Sequence, residues 1–231
     1  MDNNHKISAE QIEQLYAFTR KHFVDHYDLQ TELVDHMANA IEDRWQEDPK
    51  LTFEEAMQQE FKKFGIFGFM SVVEQRQRAL NKKYNKLIWS NFRTFFKLPK
   101  IMLTIVMVGL LYQSFALSPI IFGVLFIAAF IGLAVRAVYF GVKLRKKSKR
   151  TGKRWMLEEI IFKCGGLGPM FYFPYQITNF LFGDYPAIGE LLLAIAFTVF
   201  LLYEYIILFV IPAEAKKHLA ETYPEYALEK L

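Results

Sequence analysis

The chain has 231 residues, just over half of them hydrophobic, with 23 Phe, one Cys and a formal net charge of +4. A lone cysteine, Cys164, excludes an intramolecular disulfide and a Cys-rich metal site. The positive balance does not point to nucleic acid, because the bases sit at the ends of apolar runs and do not form one soluble basic face.

Charge is partitioned along the chain. Residues 1–70 net −7, residues 71–100 net +7, and between Ile101 and Val142 the only formal charge is Arg136. Lys143 to Arg154 holds 8 bases and no acid. Met1 to Arg20 is polar and does not read as a signal peptide, so the first apolar spans are expected to direct insertion.

In chain order, the first expected element is a small helical bundle over residues 1–70. Ser8 and Gln11 form a capping-box pattern opening a helix with Ile12, Leu15, Tyr16, Phe18 and Phe23 as its apolar stripe. A second helix is expected from about Leu29 to Trp45, with Leu33, Val34, Met37 and Ile41 at helical spacing, closed by Asp48-Pro49. Thr52 and Glu55 form another capping box, and Gly65 is placed to stop the third helix. Residues 71–97 follow as an expected basic amphipathic juxtamembrane helix. Within it, Tyr84 to Lys97 has the composition of a helix at lipid headgroups, and Trp89, Arg93, Lys97 and Lys100 are its expected lipid-interface residues.

The run from Asp28 to His36, then Leu51 to Met57, then Phe61-Lys62-Lys63-Phe64-Gly65, resembles the HAAS-type domain. That is a helical signalling domain encoded alongside PadR-like helix-turn-helix regulators and commonly fused to membrane helices. The resemblance covers roughly residues 8–70 and implies a cytoplasmic sensing or adaptor module without catalytic activity. The membrane half resembles no family that we can identify.

A spanning helix needs about 20 mainly apolar residues. Residues 98–212 supply four expected spans, near 98–117, 119–142, 160–182 and 187–211. Ser118-Pro119 breaks the long first run, with Pro119 suited to a first helical turn. The third span is irregular, containing Cys164-Gly165-Gly166-Leu167-Gly168-Pro169 and Pro174, with Gln176, Thr178 and Asn179 nearby. Pro212 is expected to end the fourth span, leaving a tail over 213–231. Lys and Arg lie on one side of this arrangement, which places both termini and the Lys143–Arg154 loop in the cytoplasm of a bacterial inner membrane. The expected class is therefore all-α: a small N-terminal helical bundle plus a four-transmembrane-helix bundle.

Three constellations could carry chemistry. His22 and His26 stand four apart, as two metal ligands on one helix face would, with Asp25, Asp35 and His36 nearby. The bland alternative, surface histidines beside acids, is favoured, so no metal site and no cofactor is assigned. Arg136 and Glu204 are the charges set furthest into spans and are expected either to pair or to snorkel and hydrate separately. Glu158-Glu159 followed by Lys163 invites comparison with intramembrane CAAX-type proteases. Those enzymes need histidines on later spans, and the only later one is His218 in the tail. No catalytic constellation remains.

The expected function is a membrane-anchored regulatory or adaptor protein whose cytoplasmic domain binds a protein partner, beside a bilayer with anionic headgroups. No direct nucleic-acid contact is expected, and a homo-oligomer is possible. The alternative is a small permease component using the broken third span and Glu204.

Overall fold

The structure, a computed structural model, describes residues 6–163 and 186–228, and every regular element among them is helical. The chain divides into two compact units. One is Met1–Asn81 with Thr151–Met156, and the other is Lys82–Arg150 with Leu157–Leu231.

The first unit follows its sequence signals closely. Helix α1, Ala9–Lys21, opens on the expected capping box: Ser8 Oγ accepts from the Gln11 N–H at 3.2 Å, and Gln11 Oε1 accepts from the Ser8 N–H at 2.9 Å. Helix α2, Tyr27–Glu47, buries Leu29, Leu33, Val34, Met37, Ile41 and Trp45. Helix α3, Phe53–Lys62, starts on the Thr52–Glu55 box. Beyond it Gly65 takes φ +77° and Gly68 φ +51°, the left-handed conformation that favours glycine. A Cβ on Gly68 would lie 2.7 Å from Phe61 Cζ, so the backbone must also pass close to that ring. This turn delivers Phe69, 1 % exposed, into a cluster with Phe18, Phe61 and Phe64, at ring-centroid distances of 6.1, 4.9 and 4.8 Å. The buried Glu60 carboxylate joins α3 to α2 by accepting from Arg44 at 2.8 Å and Lys63 at 2.6 Å. Burial alone would push its pKa up; the hydrogen bonds from Lys63 and Arg44 win and hold it below the ordinary value.

Helix α4, Met70–Thr94, is one continuous helix that starts well before the Tyr84 expected for the interfacial element, and its residues from Lys82 onward belong to the second unit. In that unit α5, Lys100–Leu117, packs against α8, Ala187–Tyr205. Helix α6, Pro119–Thr151, reaches α8 through Phe122 and Phe126, whose rings lie 5.7 and 4.7 Å from Phe197. Pro119 occupies the first helical position, as anticipated.

The Lys143–Arg154 loop is a correction. The α6 helix runs straight through its first nine residues, because lysine and arginine are good helix formers once their charges are solvated. Gly152, at φ +67°, ends it. Helix α7, Met156–Phe162, follows. Residues 164–185 lie outside the described residues, and with them most of the expected third span, Cys164 and the polar groups Gln176, Thr178 and Asn179.

Pro212 marks the end of the fourth apolar helix, as expected. The helix passes through a π-turn, Ile206–Val210, and closes on one last turn, Ile211–Ala213. Proline lacks the N–H that would bond the carbonyl four residues back and its ring crowds that carbonyl. A widened turn relieves the crowding. Helix α9, Ala215–Thr222, and a 3-10 turn, Pro224–Leu228, complete the described chain.

Two helices, Pro119–Thr151 and Ala187–Ala213, are long and apolar enough to cross a membrane; the apolar stretch Lys100–Ser114 is shorter. On α6 the side chains of Ile120, Val124, Ile127, Ile131, Val135 and Val138 are each more than half exposed. A contiguous apolar face of that extent marks a surface that meets something other than water.

Candidate functional site

The least anticipated feature lies at the corner between α1 and α2. Helix α1 stops at Lys21, and Phe23 reverses the chain at φ +63°. The corner receives residues 151–156, which in sequence follow α6 and in space belong to the first unit. The Tyr27 N–H donates to the Arg154 carbonyl at 2.7 Å, and Arg154 Nη1 donates to Asp25 Oδ2 at 3.0 Å. Lys153 lies 4.2 Å from the Tyr27 ring centroid, and Trp155 meets that ring edge-on at 5.4 Å. Trp155 and Met156 are each 2 % exposed. Asp28, in the first turn of α2, accepts from the Met156 N–H at 3.2 Å and so caps the start of α7 from another helix. Beside this clasp Glu13, Tyr16, Arg20 and Gln30 help line a polar cavity of about 480 Å³.

A second constellation lies where α6 passes beyond its apolar stretch. Lys147 Nζ donates to Glu158 Oε1 at 2.7 Å and to the Tyr226 hydroxyl at 2.8 Å, and that hydroxyl donates to Glu158 Oε1 at 3.1 Å. The triangle ties α6, α7 and the C-terminal 3-10 turn together, with Glu158 5 % exposed. Burial pulls the Lys147 pKa down, but the hydrogen bonds to Glu158 and Tyr226 outweigh it and hold the ammonium above its ordinary value. Burial, the leading cause, also raises Tyr226. The neighbouring Leu157 N–H donates to the Tyr223 hydroxyl at 3.2 Å.

The expected intramembrane charges do not pair among the described residues. Arg136 lies 4.4 Å over the Phe140 ring and 4.9 Å over Phe209, and its Nε donates to the Leu208 carbonyl at 3.5 Å. Leu208 is the carbonyl four residues before Pro212, the one that proline cannot serve. Arg136 thus reaches, at the long limit of a hydrogen bond, a carbonyl that Pro212 cannot serve. Glu204 is 2 % exposed, and its Oε1 has no hydrogen-bond partner among the described residues.

The histidines do not share a helix face. His22 caps the end of α1 and His26 the start of α2, so their spacing of four crosses a reversal of the chain. His22 is packed among Phe18 and Phe61, at 4.4 and 4.3 Å, and burial followed by the Lys21 charge lowers its pKa. His36 is exposed near Phe64. No group of three or more His, Cys, Asp or Glu among the described residues is arranged to hold a metal ion. At the expected lipid interface Arg93 covers Trp89 at 5.2 Å and Lys100 covers Phe95 at 4.9 Å, while Lys97 is exposed. His218 faces Glu214 and Glu221 at 3.7 and 3.8 Å.

Fold and site together define an all-α chain with at least two membrane-length helices and a separate helical unit that incorporates the segment joining α6 to α7. Compared with protein-family models, with curated proteins and with solved structures, the chain matches none.

Proposed function

We propose that this is a membrane-anchored regulatory or adaptor protein. Its N-terminal helical unit binds a protein partner in the cytoplasm, and four spans near 98–117, 119–142, 160–182 and 187–211 hold it in the inner membrane with both termini inside. The observation that carries the reading is the clasp of residues 151–156 on the α1–α2 corner. A unit that merely rode on a linker would have no use for a buried Trp and a cross-helix cap contributed from between two membrane helices. Such a clasp lets the state of the spans bias the unit, and the reverse. The resemblance of residues 8–70 to HAAS-type domains supports the same role.

A docking surface is at hand. Ile66 is 100 % and Phe67 78 % exposed, held outward by the left-handed glycines on either side. Exposed anchors of this size are usual where proteins bind one another. Because residues 151–156 complete the unit, the test uses the full chain. In native membranes, cross-linking is expected to capture a cytoplasmic protein at near-equal stoichiometry with the wild type, and to lose it by about tenfold or more with Ile66→Ser plus Phe67→Ser. Equal recovery from both would reject this surface.

The buried Glu204, whose Oε1 has no partner among the described residues, favours one second reading, a small permease component, since ionisable groups at such depth often mark a solute path. Substrate-dependent flux into proteoliposomes that Glu204→Gln abolishes would select it.

A further inference from the structure

Helix α6 carries a polar stripe past its apolar stretch. Lys143, Lys146, Lys147 and Arg150 are spaced i, i+3, i+4 and i+7, which puts all four on one face, while Arg145 and Lys149 point to the opposite side. That face lines a cavity of about 310 Å³. Among its described lining residues the only acid is Glu158, whose Oε1 is already taken by Lys147 and Tyr226. Lys143, Lys146 and Arg150 have no ion-pair partner among the described residues. The cavity therefore carries about three uncompensated positive charges. Leu144 and Phe162 give it an apolar wall.

We infer that this cavity is a binding site for a phosphate-bearing anion. Arg150 and Lys146 provide the charge, Lys147 and Glu158 line the cavity while held by Tyr226, and the Leu144–Phe162 wall suits the glycerol and first acyl carbons of a phospholipid. Two sources share this chemistry: an anionic lipid headgroup and a soluble phosphate ester. The wall favours the lipid. Guanidinium and ammonium groups recognise phosphate through charge-assisted hydrogen bonds, with arginine able to bind two oxygens at once.

The lipid source rests on the membrane placement proposed above. Partner capture by Ile66 and Phe67 is read out separately, so either can fail alone. The test uses the delipidated full-length protein in nanodiscs, either of phosphatidylcholine alone or of phosphatidylcholine with phosphatidylglycerol. Native mass spectrometry counts retained phosphatidylglycerol, and calorimetry in the neutral discs measures binding of inorganic phosphate and glycerol phosphate. The variants are Lys146→Gln plus Arg150→Gln, on the cavity face, and Arg145→Gln plus Lys149→Gln, equal in charge on the opposite face. All four side chains are exposed, so folding is expected to persist, and unchanged thermal midpoints verify it. Retention of phosphatidylglycerol that falls about tenfold or more in the first pair, and less than about twofold in the second, upholds the site with a lipid source. Saturable binding of the soluble phosphates with the same dependence upholds it with a soluble source. Equal losses in both pairs, or no saturable binding of any probe, overturns it.

Discussion

Replacing Lys147 by Met is expected to destabilise the full-length protein by about 3–5 kcal/mol, the largest effect of any single polar substitution here. The reason is what remains. Glu158, 5 % exposed, keeps one hydrogen bond from Tyr226 but loses the ammonium that neutralised it, and a buried carboxylate without its counter-charge is costly. Adding Glu158→Leu should restore most of the loss, because replacing both partners of a buried pair with apolar groups is often close to neutral. Unfolding in mixed detergent measures all three proteins. A single variant within about 1 kcal/mol of wild type would mean that the triangle is solvated in the folded state. The pH dependence has a definite sign. The folded-state pKa of Lys147 is raised above its ordinary 10.5, so its contribution is fully present below pH 10.5 and declines as the pH passes the raised value. Tyr226, also raised, declines in the same direction. The wild type should therefore hold its advantage over Lys147→Met across neutral and mildly alkaline pH and lose it only in strong alkali.

Trp155→Ala should have an effect of similar size by a different route. Truncating a Trp that is 2 % exposed costs about 3–5 kcal/mol through lost burial and the cavity left behind. Here the loss falls on the clasp. The Tyr27 ring loses its edge-on neighbour, and the hydrogen bonds from Tyr27 to the Arg154 carbonyl and from Met156 to Asp28 lose the packing that shields them. Amide hydrogen exchange should rise across 151–156 and the first turn of α2, while the Phe18–Phe61–Phe69 cluster stays protected. Arg154→Ala removes a partly exposed ion pair with Asp25, a contact of a kind that contributes less than about 1 kcal/mol. If Trp155→Ala leaves exchange at Tyr27–Gln30 unchanged, the clasp does not couple the segment to the unit.

These two sites were also the least legible in the sequence. Local chemistry was readable. Both capping boxes, the α2 stripe, Gly65 and Pro119 each announce themselves within four residues, because caps and turns depend on neighbours in the chain. The α6 overrun was not, since eight bases within twelve residues suggest a loop by charge alone, whereas helix propensity favours Lys and Arg and the true stop is the single Gly152. Trp155-Met156 has no periodicity that could distinguish a docked pair from an ordinary loop, and Glu158 meets Tyr226 from 68 residues away. His22 and His26 illustrate the limit of spacing alone. Their spacing suits one helix, but Phe23 turns the chain between them with no glycine to signal it. Arg136 stands out in the sequence, with pairing to Glu204 and separate snorkelling as the two expectations; the Leu208 carbonyl beside Pro212 comes within its reach only in the folded helix.

The orientation of the spans is the premise on which the cytoplasmic partner and the lipid source of the anion site depend. In a Cys164→Ser background, Ser118→Cys should react with a membrane-impermeant maleimide in intact spheroplasts, and Lys149→Cys only after permeabilisation. Equal labelling of both positions before permeabilisation, or recovery of the whole chain from the aqueous fraction without detergent, would contradict the account.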